Sequence, residues 1–105
     1  MRLKAPTLEE QRWMDDIVRI GCCVCIRTGL GPTPGEVHHR LRGGRRMGHR
    51  FTLCLCMSHH RGGLDNGFIV SRDHSQRRFE ERYGSEDELQ AWTEQQVQEL
   101  RACAV

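Results

Sequence analysis

Two short turns constrain this chain more than anything else in it. "GCCVC" holds Cys22-x2-Cys25 and "LCMSHH" holds Cys56-x2-His59, with Cys25 and Cys56 31 positions apart. A Cys-x2-Cys or Cys-x2-His turn aims two ligands at one tetrahedral ion, and backbone N–H groups can support the sulfurs. Together the two turns make one Cys3His zinc site. Cys23 offers an alternative Cys-x-Cys pair with Cys25, and Cys54 would face the same side of a strand as Cys56. Either could substitute, and Cys54 could displace His59. Cys103 reads as a plain thiol. Cysteines without metal behave as small buried hydrophobes, which leaves the paired spacing unexplained.

The chain's size makes such a staple useful. It has 105 residues, 37% of them apolar, and a mean hydropathy of −0.64. A domain this small buries a modest share of its surface around a thin core, and a metal is a natural supplement. "MRLKAPTLEEQRWMDD" has no apolar signal stretch, and no run approaches transmembrane length. The expectation is a cytoplasmic protein with no membrane partner. In that reducing compartment six cysteines read as ligands rather than disulfides.

The net charge of +2 does not mark a nucleic-acid binder. Its distribution does. Arg40, Arg42, Arg45, Arg46 and Arg50 fall in eleven positions with no acid among them, whereas Phe79 to Leu100 is rich in Glu and Asp. A polyanion such as DNA would contact one face only.

Local signals predict one α+β domain over 1–105. Thr7 with Glu10 forms a capping box, and apolar residues at helical spacing predict a helix over 8–20 ended by Gly21. The central region, 21–65, carries the chemistry. "EVHHRL" and "RFTLCL" read as strands joined by the Arg/Gly loop "RGGRRMG", and "MSHHRGG" starts a short helix. C-terminal helices fill 71–101. Ser71 would cap the first, which carries Phe79 and Tyr83 and stops at Gly84. A capping box of Ser85 and Glu88 would open the last, with Leu89, Trp92, Val97 and Leu100 near one side.

Five of the six histidines lie between Val37 and Gly63, four of them in adjacent pairs. With His59 given to zinc, His38, His39 and His60 remain. In a ββα arrangement the end of the first strand faces the start of the helix. His38 and His60 could then share a second ion, while His39 points elsewhere and acts on a water. A divalent ion, a base titrating near neutrality and surrounding arginines are the parts phosphodiester hydrolysis needs.

The order CxxC, HH, RGG, LCxxHH resembles the HNH nucleases of the ββα-metal superfamily. More narrowly, "WMDDIVRIGCCVC", "GLGPTPGEVHHRLRGGRRMG", "LCLCMSHHRGG" and "FEERYG" resemble the RecA-dependent nucleases of phages and prophages, the recombination enhancement function family. The resemblance covers roughly residues 13–90. It implies a small zinc-stapled HNH core with flanking helices that nicks or cuts DNA in the host cytoplasm, with a RecA-type recombinase filament as a partner. Carried over, it makes His38 and His60 ligands of a catalytic ion, His39 the general base, and Cys22, Cys25, Cys56 and His59 the structural zinc ligands.

Two departures stand out. The usual HNH Asn is replaced by Phe51, leaving His49 or Arg50 to brace the loop. A further histidine common in relatives is missing from "RGGLDNGF", so Asp65, Asn66 or water would complete the metal shell. A carboxylate there would favour Mg2+ or Mn2+ over Zn2+. The expected chemistry is hydrolysis with low sequence specificity, with the five arginines contacting DNA phosphates or the transition state. The rivals are a zinc-stapled DNA-binding module without cleavage and a protein adaptor docking through the acidic last helix.

Overall fold

The first helix, α1 (Leu8–Ile20), begins where its capping box places it. The Thr7 hydroxyl accepts from the Glu10 amide at 3.1 Å, and the Glu10 carboxylate accepts from the Thr7 amide at 2.9 Å. Each bond satisfies an amide with no intrahelical partner. Gly21 ends the helix at φ 103°, in the left-handed region, and a Cβ there would meet the Thr33 carbonyl oxygen at 3.0 Å. The computed structural model describes residues 4–62, 65, 66 and 68–103.

The centre is a β-strand pair feeding a helix. β1 (Glu36–His39) runs antiparallel to β4 (Thr52–Leu55), with Glu36 opposite Leu55 and His38 opposite Leu53. One residue later the chain enters α3 (Met57–His60). The connection, expected as a plain loop, carries a small hairpin of β2 (Leu41–Arg42) and β3 (Arg45–Arg46). Gly43 and Gly44 turn it at φ 59° and 77°, the two positive values that a two-residue hairpin turn matched to strand twist requires. β4 starts at Thr52, later than expected, because the Phe51 amide closes a turn on the Gly48 carbonyl at 3.2 Å.

All four β4 residues are buried, so the short strand separates two apolar clusters. On one side Leu53 and Leu55 pack with Phe79, Leu89 and a short helix that opens at Cys22 and carries Cys25, α2 (Cys23–Arg27). On the other, Cys54 packs with Trp13, Met14, Ile17 and Val97. The Trp13 indole donates to the Thr52 hydroxyl at 2.9 Å, so its one polar atom is satisfied where the ring is 1% exposed.

Two helices close the molecule: α4 (Gln76–Tyr83) and α5 (Glu86–Cys103). α4 begins at Gln76, capped by Ser75, not at Ser71. The Arg72 and Asp73 amides donate to the His59 and His60 carbonyls at 2.6 and 2.8 Å. The segment after Ser71 is thus held against α3, and the helix opens only beyond it. The Ser85 hydroxyl accepts from the Glu88 amide at 3.1 Å as the sequence suggests, and Leu89 and Val97 are buried. Arg101 bonds Asp16 at 2.9 Å and Glu9 at 3.0 Å, tying α5 to α1. The architecture is α+β, with two small antiparallel sheets. Among the described residues no helix is long and apolar enough to cross a membrane.

Candidate metal centres

Cys22 caps α2 and Cys25 lies in its first turn, while Cys56 caps α3 and His59 lies within it. Two helix starts thus face each other across the end of β4. The four residues are buried, and one ligand atom from each lies within 4.8 Å of the others. Cys25 Sγ is 3.7 Å from Cys56 Sγ, and His59 Nδ1 is 3.8, 3.5 and 3.2 Å from the sulfurs of Cys22, Cys25 and Cys56. A tetrahedron with Zn–S bonds of about 2.3 Å has edges of about 3.8 Å. The cluster could hold a metal such as zinc. Burial pushes the Cys22 and Cys25 thiols up, so a cation is what would make thiolates stable there.

Cys23 and Cys54 stand outside this group. Burial pushes both thiols up to about 12, and Cys54 faces the α1 cluster because strand residues alternate. Cys103 is exposed.

A second group forms where β1 meets α3. His38, His60 and Asp73 offer ligand atoms within 4.8 Å of one another, and the two imidazoles make an edge contact with centroids 5.0 Å apart. Asp73 arrives because its own amide is bonded to His60. Each ring is also braced by a carboxylate on its far side. His38 Nε2 lies 3.1 Å from Glu86 Oε2, and His60 Nδ1 lies 2.7 Å from Glu36 Oε1. Such carboxylate–histidine pairs fix tautomer and ring orientation for metal binding. Burial of Glu86 works against ionisation, but His38 and Arg72 outweigh it and hold its carboxyl below the usual range. Arg61 grips Glu36 through two bonds of 2.7 and 3.1 Å and depresses it likewise. Asp65 is elsewhere, paired with Arg78 at 3.3 Å and bridged to Val70.

His39 points to the other face of β1. Its Nε2 is 3.0 Å from His49 Nδ1. Burial, then Arg46, His49 and His38, lower its pKa below the ordinary imidazole value.

The five loop arginines divide by environment. Arg40 bonds Asp87 and Gln90 on α5. Arg50 stacks 3.6 Å over the Trp13 ring and pairs with Glu94 at 3.3 Å. Arg42, Arg45 and Arg46 stand exposed on the β2–β3 hairpin. Sequence reasoning missed Glu36, Glu86 and Asp73. Only Glu36 left a signal, since it lies two residues before His38 on the same strand face.

No curated protein matches this chain in sequence. The sequence model for "recombination enhancement, RecA-dependent nuclease" matches residues 6–98, from before α1 through most of α5. That span is well over half the molecule, and the chain belongs to this family of nucleases.

Proposed function

We propose that the chain is a metal-dependent DNA endonuclease of the HNH type. The observation that carries this reading is the convergence of His38 from β1, His60 from α3 and Asp73 from the segment after α3, one residue away from a histidine not engaged in that group. Cys22, Cys25, Cys56 and His59 serve as the structural zinc ligands. His38, His60 and Asp73 are the residues that would hold a catalytic ion, and Asp73 replaces Asp65 as the carboxylate. An ion there would supply positive charge toward the scissile phosphate and leaving oxygen; the carboxylate suits Mn2+ or Mg2+, and the two imidazoles favour Mn2+ of the pair.

The chain's own residues do the rest. His39 takes a proton from the attacking water, and its lowered pKa keeps it unprotonated at neutral pH. Glu86 and Glu36 orient the two ligand histidines. Arg42, Arg45 and Arg46 meet the DNA backbone, with Arg46 the nearest to His39 in its electrostatic effect. Arg40 and Arg50 act instead as internal struts. RecA dependence, which the family description names, supports a recombinase filament as the partner that presents the DNA.

Nicking of supercoiled plasmid, with and without a RecA-type filament, tests this in Mg2+ or Mn2+ against chelator. His39→Ala should cut two to four orders of magnitude more slowly, roughly the usual contribution of acid–base catalysis. Cleavage unaffected by chelator, or His39→Ala at wild-type rate, would remove the ion or the base from the mechanism.

A further inference from the structure

His49 lies outside both metal groups, yet it bridges two parts of the molecule. Its Nε2 is 2.6 Å from the Lys4 carbonyl oxygen, ahead of α1, and its Nδ1 is 3.0 Å from His39 Nε2. Its backbone is anchored too. The His49 carbonyl accepts from the Thr52 hydroxyl at 3.0 Å, the same hydroxyl that accepts from Trp13. The next residue, Arg50, is stacked on that tryptophan. His49 is therefore fixed against α1 and β4 independently of His39.

The direction of each hydrogen bond follows from the chemistry of the atoms. A carbonyl oxygen only accepts, so His49 Nε2 must carry the proton. A neutral imidazole has one N–H, which leaves His49 Nδ1 as an acceptor. His39 Nε2 must then donate to it. The rings meet edge to face, 75° apart with centroids at 5.2 Å, and a flip of either would put carbon where nitrogen is needed.

We propose that His49 is a positioning residue: with the Lys4 carbonyl it holds His39 in its Nε2–H tautomer, leaving Nδ1 as the atom that receives a proton. The inference rests on His39 being the general base, but the tautomer itself is measurable without cleavage. Histidine without such a partner exchanges between tautomers and loses the base at the required position for part of the time.

The test uses the full zinc-loaded chain labelled with 15N at histidine, at about pH 8, where imidazoles are neutral. Long-range proton–nitrogen correlation should show His39 protonated at Nε2 and bare at Nδ1. His49→Phe should leave His39 in both tautomers. His49→Gln should restore the wild-type pattern, because its amide oxygen can accept from His39 while its NH2 donates to Lys4. In plasmid nicking, His49→Phe should lower kcat by about 10–100-fold at unchanged KM, and His49→Gln should recover most of that loss. If His49→Phe fails to fold, the wild-type and His49→Gln spectra decide alone. His39 protonated at Nδ1 in the wild type, or a tautomer indifferent to His49→Phe, overturns the proposal. His39→Ala at wild-type rate with the expected tautomer intact would instead sink the base reading.

Discussion

The Cys22–Cys25–Cys56–His59 centre and the His38–His60–Asp73 group share a four-residue helix, α3, but are walled differently. The first is buried on every side, with three sulfurs and one imidazole inside an apolar cluster. The second runs from buried His38 through half-buried His60 to exposed Asp73, with carboxylates behind the rings. Closed tetrahedral sites contribute folding free energy, whereas sites with an open position leave room for water or substrate. The contrast teaches that two groups sharing one helix differ in burial as well as in donor type, which would suit one to a closed ion and the other to an open one.

Breaking the first centre should have the largest effect. Cys22→Ser or Cys25→Ser should lose the tightly held ion and unfold the chain, since structural zinc contributes on the order of 10 kcal/mol of folding free energy. Elemental analysis with circular dichroism checks this, and a folded, metal-free Cys25→Ser protein would contradict it. Breaking the second should leave the fold standing. Asp73→Asn and His60→Ala should keep zinc and secondary structure but lose nicking, with partial rescue by raised Mn2+. Asp65→Asn should behave as wild type, and its loss of cleavage alone would move the site.

Glu86, 4% exposed, is bonded to both His38 of the second group and Arg72. Glu86→Gln strips the charge from a buried network and should cost about 3 kcal/mol. Its carboxyl is depressed in the folded chain, so its stabilisation is complete above the unfolded value of about 4.5 and is lost as pH falls through the folded one. Thermal melts of the wild type minus Glu86→Gln should therefore converge only in acid, below that value; a difference constant with pH would refute the linkage. The smallest effect belongs to the hairpin. Arg45→Ala with Arg46→Ala should flatten the slope of log affinity against log salt by up to about two units, with melting unchanged. Arg40→Ala should do the reverse, lowering melting through its lost α5 bonds.

The first helix, both knuckle turns and the strand–strand–helix order could be read from the sequence, because capping residues and ligand spacing are local. The choice among five buried or ligand-spaced cysteines could not. Strand alternation turns Cys54 toward Trp13, and only packing reveals it. The arginine run misled for a similar reason. Five like charges look alike on a line, yet Asp87, Gln90, Glu94 and Trp13, all distant in sequence, claim two of them. Asp65 is the first carboxylate after the second histidine pair along the chain, while Asp73 is the one that joins His38 and His60 in space, because its amide is bonded to the His60 carbonyl. Ser71 offered a helix-capping side chain, but the segment after it runs against α3 and the cap is supplied by Ser75.

Those amide bonds also couple the two groups to one another. His59 and His60 are neighbours on one turn, and their carbonyls fix the segment that delivers Asp73. Whatever fixes α3 therefore also places His60 and Asp73, so an ion closing the first centre would be felt at the second through a single turn.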